Sequence, residues 1–566
     1  MEIYVNLLAN IIVTNYFSTT KCLYVFTDSK STYKHFENIP AIIVDVELMR
    51  NNPNVYTKFY CDHFLINTEK ANETFEEIEN LIRYGENRFH FRSYLVLPTR
   101  NLDRNTTSIF ERKSVDFVAN ILAVFPDKLS NSDEGIFNLY THKYAAYHDY
   151  NQVYLLDKWF SKNSSFLFGN NLYPDKLSNQ GGRILSIGTI TYKPYSVIDY
   201  LDGTELSAVL EAACKYNMTI TVTDFDGDWG DAFENFTGDG VLGNLARDKT
   251  DIGFASLFMY SSTYQYLDVT TPLVHTGITA LVPSPKLLGG WFTPFLSFSI
   301  SMWVASIISI IFCFLAILFV STFHTFITKE TQPVKETAII TLLETEALFL
   351  GKPVSKLPLE FYSRIVYALA MILSLVMATI YTSGLASTMT VPKYRGTIRT
   401  LKDLAERGIH WGATSIVWIA SISDSDNPIY QQIVKSFVIA DVDNLTRLNS
   451  EEFGYAIERL QEGNYALGDY ITEDGVKRRR LMDENLFNDY IVMYTRKGSI
   501  LLPLINKVVL EVSQAGLVEY WEDLAISKYS STTIQTIVRF SVQSPKPVIT
   551  PLTFNHVEGA FIIWAE

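Results

Sequence analysis

Charge is missing from two long stretches of this chain. Residues 287–328 and 365–392 contain no Asp, Glu, Lys or Arg, and each exceeds the roughly 20 apolar residues that cross a bilayer as a helix. Cysteine is scarce as well. Cys22, Cys61, Cys214 and Cys313 are too few and too scattered for a zinc site or a disulfide framework, and Cys313 falls inside the first uncharged stretch. Basic residues are outnumbered: the formal net charge is −14 over 566 residues. That argues against nucleic acid as a partner, because phosphate contacts need basic patches and the one dense run, KRRR at 477–480, is local and reads as a solvated loop. His275, His410 and His556 stand alone, with no partner at metal or triad spacing, so a core or hydrogen-bonding role is their default. GDGVLG at 238–243 satisfies a dinucleotide pattern but follows no strand, which leaves a turn opening a helix. With no nucleophile, base, metal or cofactor constellation, the chain reads as a non-enzyme.

What the chain does contain is membrane grammar. Between the uncharged stretches lies TAIITLLETEALFL at 337–350, at a length read as a re-entrant segment rather than a span. Glycan sequons begin at Asn72, Asn105, Asn163, Asn217 and Asn235 before this block and at Asn444 after it. If both sides are used, the number of crossings between them is even. Two spans and one re-entrant loop meet that condition, and a re-entrant backbone implies a cavity or pore, because water or protein must satisfy its polar groups.

Outside the block the pattern is α/β. Residues 1–20 include an apolar opening, MEIYVNLLANIIV, that reads as a signal sequence with a buried first strand as the alternative. Residues 21–180 mix apolar runs with charged helical stretches and read as an amino-terminal extracellular domain. Strand–helix–strand grammar runs through 181–290 and resumes over 393–550, so one ligand-binding unit is expected to be assembled from two pieces. Between them come a transmembrane helix at 295–328, the re-entrant segment at 337–350 and a second transmembrane helix at 363–390. Residues 552–566 begin an apolar helical pattern that reads as the start of a final span.

This order resembles the ionotropic glutamate receptors, and specific residues carry the resemblance. That family's gate motif reads SYTANLAAF; here residues 380–388 read IYTSGLAST, matching at Tyr381, Thr382, Leu385 and Ala386. GTITYKPYS at 188–196 resembles the family's opening strand and turn, and YLDVTTPL at 266–273 its "DFSKPF". Within the family, WFSKNSSFLFGNNLYPDKLSNQGGR at 159–183 resembles the lead-in of the insect variant ionotropic receptors, the chemosensory branch, whose tuning subunits also have a short amino-terminal region. The resemblance implies a fold of α/β class plus transmembrane α: a bilobed, periplasmic-binding-protein-like ligand-binding domain interrupted by a re-entrant-loop ion pore, with an α/β amino-terminal domain. It implies a ligand-gated cation channel at the plasma membrane of a sensory neuron dendrite, working with co-receptor subunits in a heterotetramer.

Departures from the family pattern shape the ligand expectation. Counting back from Asp268, the family's carboxylate-binding Arg falls on Thr263, its helping Thr on Phe258 and its Pro on Ser256. The acid for the ligand amine most nearly corresponds to Asp469, and the Ser-Thr pair that closes over the ligand falls near Trp418 and Ile419. A cleft without the guanidinium fork is expected to reject glutamate and take a smaller, more apolar molecule such as a volatile acid or amine. A humidity- or temperature-sensing subunit and a non-conducting binding protein are the alternatives. In the pore segment the family's selectivity glutamine becomes Phe349, followed by Leu350 and Gly351, and Glu344 and Glu346 are the acids able to favour cations.

Overall fold

The computed structural model describes residues 2–18, 22–28, 36, 39–52, 60–99, 104–127, 135–225, 228–285, 287–288, 290–328, 334–352, 360–390, 393–394, 396–450 and 452–542. The expected final span at 552–566 lies outside them, as does His556. The chain divides into two compact units. One comprises Met1–Leu281, Ala405–Lys477 and Leu481–Arg539; the other comprises Val282–Leu404, Arg478–Arg480 and Phe540–Glu566.

The first unit opens with an eight-stranded sheet. Its strands Ala41–Asp45, Leu23–Thr27, His63–Asn67, Ser93–Val96 and Asn120–Pro126 run parallel in that spatial order. Ile136–His142, Val153–Phe160 and Ser165–Phe166 continue it antiparallel. Strand side chains alternate between faces, so Phe64 and Tyr94 join one core with Phe75 and Ile78 of the helix Ala71–Tyr84. Leu65, Leu95 and Leu122 join another with Leu8 and Ile12 of the helix Glu2–Tyr16. The opening segment is therefore a buried helix in this structure and not the strand that was the alternative to a signal sequence. Cys22 and Cys61 form a disulfide, a pairing the sequence reading did not find because neither spacing nor number announces a single bridge.

Strands from both sides of the membrane block interleave in two further sheets of the same unit. The first has the order Thr219–Asp224, Ile184–Thr189, Ile252–Gly253, Tyr494–Arg496, Leu267–Val269. Tyr494–Arg496, from late in the chain, thus pairs antiparallel with two strands from before the block. The second sheet sets Phe437–Ile439, Trp411–Ala413 and Gly454–Arg459 beside the long strand Val274–Pro283, which pairs through Gly277–Leu281. Helix Thr204–Lys215 covers the first sheet, and Leu502–Gln514 and Leu517–Tyr529 pack against that helix. The glycine pattern at 238–243 does open a helix, Gly240–Ala246. Gly238 has φ +150°, and a Cβ there would stand 2.0 Å from the Asp231 carbonyl oxygen.

The second unit contains the helices Ile300–Thr328, Val334–Phe349 and Phe361–Thr390. The first and third, of 29 and 30 residues, are long and apolar enough to cross a membrane. Most of their large apolar side chains, Phe312, Phe319 and Leu369 among them, are exposed on this chain, as lipid-facing or subunit-facing surfaces require. A small cluster of Cys313, Ile317, Leu348 and Ala370 joins the three helices.

Candidate functional site

Between the first and second sheets of the larger unit lies a narrow cleft with about 20 Å³ of free space. The first sheet region supplies Tyr192, Trp229, Ser256 and Phe258; the second supplies Ile278, Val417, Trp418 and Glu458. Tyr192 sits in the turn after Ile184–Thr189, and its ring meets Trp229 at 5.8 Å and Trp418 at 6.2 Å, both edge-on. Phe258 packs edge-on against Phe487 at 5.7 Å. Four aromatic rings therefore surround one small volume.

Among the described residues one acid faces that volume. Glu458, on the strand Gly454–Arg459, is 1% exposed. It accepts hydrogen bonds from Tyr192 Oη at 3.0 Å, Tyr195 Oη at 2.7 Å and Ser256 Oγ at 3.2 Å. All three donors come from the first sheet region, so a carboxyl on the second sheet is tied to hydroxyls on the first. Burial pushes the Glu458 carboxyl above its ordinary range, and the hydroxyl donors partly oppose that. A second buried acid lies behind Ser256. Glu205, in the first turn of Thr204–Lys215, accepts the Ser256 backbone N–H at 2.8 Å through Oε2, while its Oε1 has no partner among the described residues. Burial, with the Glu458 charge adding to it, pushes Glu205 up to about 8. Among the described residues no lysine or arginine lines the cleft, so its field favours a cation over an anion.

The structure sorts the residues expected from sequence. Ser256, Phe258 and Trp418 line the cleft. Thr263, 1% exposed in the short helix Ser261–Tyr264, does not, and neither does the buried Ile419. Asp469 is a correction: its side chain is 80% exposed and pairs with Lys193 Nζ at 3.1 Å, so the acid of the cleft is Glu458. The sequence reading missed Glu458, Glu205, Tyr195 and Trp229. An acid inside the strand GYAIER, buried at every position but the last, was the available signal, since a carboxylate in a fully buried strand must have partners. Glu205 was hidden because an acid in a helix's first turn is an ordinary dipole partner.

In the smaller unit, Glu344 turns toward a neighbouring helix and accepts a hydrogen bond from Tyr367 Oη at 2.6 Å, whereas Glu346 is exposed. Phe349 packs partly buried against the Cys313, Ile317, Leu348 and Ala370 cluster. Gly351, at φ +71°, ends the turn after Val334–Phe349. In the segment 380–388, Tyr381 packs on Phe298 at 5.5 Å and Trp303 at 6.2 Å, and its hydroxyl donates to the Pro294 carbonyl at 3.4 Å. A Cβ on Gly384 would stand 2.7 Å from the Ser297 carbonyl oxygen. Glycine is therefore required where the segment before the first membrane helix crosses the third. Thr382 bonds back to the Ala378 carbonyl at 2.9 Å, Leu385 is half-buried, and Ala386 is exposed on this chain.

Among the sequons, Asn163, Asn217, Asn235 and Asn444 are exposed. Asn72 is half-buried and donates to Ser108 Oγ at 3.0 Å. The side chain of Asn105 lies outside the described residues. His275 is exposed and lies against Tyr490 at 4.9 Å with the rings tilted at 55°, and His410 is exposed, so neither has a core role.

Residues 299–565 match a family model described as "Ligand-gated ion channel". The chain is 25% identical over 396 residues to a "Glutamate receptor" of Lymnaea stagnalis, a match covering 63% of this chain and 41% of the relative. It is 23% identical to a "Probable glutamate receptor" of Lithobates berlandieri, covering 62% of this chain and 76% of the relative. A "Glutamate receptor U1" of Xenopus laevis is 24% identical over 53% of this chain and 64% of its own length. The match to the snail receptor thus spans less than half of that protein. The chain is therefore similar to ligand-gated ion channels over residues 299–565 and to glutamate receptors over more than half of its length.

Proposed function

We propose that this chain is a tuning subunit of a ligand-gated cation channel of the insect variant ionotropic receptor type, detecting a small amine and not glutamate. The observation that carries the ligand class is Glu458: a buried carboxyl facing a cleft with four aromatic rings and, among the described residues, no cationic side chain. An ammonium group gains from both the carboxylate and the ring faces. A carboxylic acid or glutamate would bring a like charge into a buried site without its guanidinium partner, at a cost of several kcal/mol. The two sheets act as lobes that close on the amine and pull the helix Phe361–Thr390 through its linkers. Co-receptor subunits complete the tetramer in the plasma membrane of a sensory dendrite, with Glu346 as the remaining acid able to favour cations at the pore mouth. The disulfide and the exposed sequons agree with an extracellular position for the larger unit.

A second reading, a humidity- or temperature-sensing subunit, has one observation in its favour. Tyr192, Tyr195 and Ser256 already satisfy Glu458 across the cleft, as a latch needing no ligand would require. Recording current from the chain co-expressed with a co-receptor subunit, across panels of amines, acids and aldehydes with glutamate as control, tests the proposal. Amine-evoked inward current supports it. Responses confined to acids or glutamate, or to temperature and humidity steps, overturn it, and surface-expressed chains with no current in any combination favour the non-conducting alternative.

A further inference from the structure

A second hollow, of about 440 Å³, lies within the larger unit where the amino-terminal sheet region meets the region built on the first of the two later sheets. It shares no lining residue with the aromatic cleft. One wall is the end of the helix Ala71–Tyr84, carrying Arg83 and Tyr84, together with Lys113; the other is the turn at Phe236 and the segment Arg247, Asp248 and Lys249. The size falls within the roughly 300–1,000 Å³ of small-molecule sites.

Its charge opposes that of the chain as a whole. Arg83, Lys113, Arg247 and Lys249 face a single acid, Asp248, in a protein of net charge −14. Asp248 is already committed. It accepts Arg83 Nη1 at 2.8 Å and Nη2 at 3.2 Å, and Arg496 Nε at 2.8 Å. Among the described residues Arg247 has only the neutral amide of Asn244, at 3.0 Å, and the ammonium groups of Lys113 and Lys249 pair with no carboxylate. Beneath these cations lies an aromatic floor: Tyr84 and Phe236 meet edge-on at 5.1 Å, and the Arg83 guanidinium stacks over Phe236 at 4.2 Å.

We propose that this hollow binds a small organic anion, a molecule bearing two or more carboxylate, sulfate or phosphate oxygens. Lys113, Arg247 and Lys249 take its charges, and the exposed Tyr84 ring takes its body. Arg83 is held by Asp248 and Phe236 and sets the wall in place. Because the two walls come from separate sheets, a bound anion favours their docked arrangement and steadies the amino-terminal region on the ligand-binding region. The exposed Asn235 sequon stands at the lip, so a glycan on the chain itself is the competing occupant.

The test is titration calorimetry of the chain, purified in detergent at near-physiological salt, with citrate as probe. Saturable binding with Kd below about 1 mM is expected. The paired substitution Lys113→Glu and Lys249→Glu should weaken it at least tenfold, Lys113→Gln with Lys249→Gln by less, and Asn235→Gln should leave it unchanged. Both lysines are exposed, and the glutamine pair supplies the comparison if charge reversal prevents folding. Absence of saturation, or an affinity indifferent to both lysine pairs, overturns the site. Binding that appears only in Asn235→Gln assigns the hollow to the glycan and overturns it equally.

Discussion

Glu458→Gln separates recognition from folding more cleanly than any other change in the cleft. The substitution keeps the shape of the side chain and removes its charge. In the folded chain the carboxyl accepts from Tyr192, Tyr195 and Ser256. A glutamine amide offers one accepting oxygen, and its NH2 then faces a hydroxyl that had been donating. Hydroxyls rotate and can accept, so the loss to the fold is one weakened hydrogen bond, about 1 kcal/mol. For a bound ammonium the loss is larger, because a desolvated cation left without its counter-charge costs about 2–5 kcal/mol. At about 1.4 kcal/mol per decade, that is roughly 30- to 4,000-fold in Kd. Calorimetric titration with butylamine, read beside the melting temperature of the same preparation, should therefore show a small change in melting and a large change in affinity. A Glu458→Gln chain that binds butylamine within about threefold of wild type refutes the assignment of Glu458 as the ligand's counter-charge. Equal losses in melting and in affinity would instead make it a structural acid.

Further outcomes follow from the same geometry. Glu205, held up to about 8 in the folded chain against an ordinary value of 4.5, keeps a proton that the unfolded chain has released over that interval. The folded state binds more protons there, so this contribution is fully present below pH 4.5 and is lost as pH rises through 8. Melting followed across that window should fall with pH, and Glu205→Gln should flatten the slope; an unchanged slope removes Glu205 from the account. Gly384→Ala places a methyl 2.7 Å from the Ser297 carbonyl oxygen, and relief of that contact, at about 1–3 kcal/mol, should shift channels toward opening without ligand. Resting current in surface-expressed mutant channels reads this directly, and currents equal to wild type count against Gly384 as part of the gate. Glutamate should not displace butylamine from the cleft even in large excess, since among the described residues no lining side chain offers a guanidinium or ammonium group.

Much of the architecture was legible because it rests on period and composition. The uncharged runs became the helices Ile300–Thr328 and Phe361–Thr390, and alternation in RILSIGT became the strand Ile184–Thr189. The cleft was only half legible. Ser256, Phe258 and Trp418 follow from counting along a motif, but Thr263 shows the limit of counting: the position meant for a long guanidinium holds a short side chain that packs away from the cleft. Asp469 and Glu458 are 11 positions apart in the sequence, and only the sheet pairing of Gly454–Arg459 decides which one faces the aromatic rings. Trp229 reaches the cleft from an irregular stretch, held there by its indole N–H donating to the Ala255 carbonyl at 2.8 Å. No periodicity announces that kind of tertiary placement.

The central claim is that the amine cleft between the two sheets drives the membrane helices. Its most direct measurement sets the butylamine concentration that half-saturates the purified chain beside the concentration that half-activates current with a co-receptor subunit, in wild type, Glu458→Gln and Trp418→Ala. The account predicts that both concentrations rise together and in the same order across the three proteins. Binding that weakens in the variants while half-activation stays fixed would contradict it, because the channel would then be opened from somewhere other than this cleft.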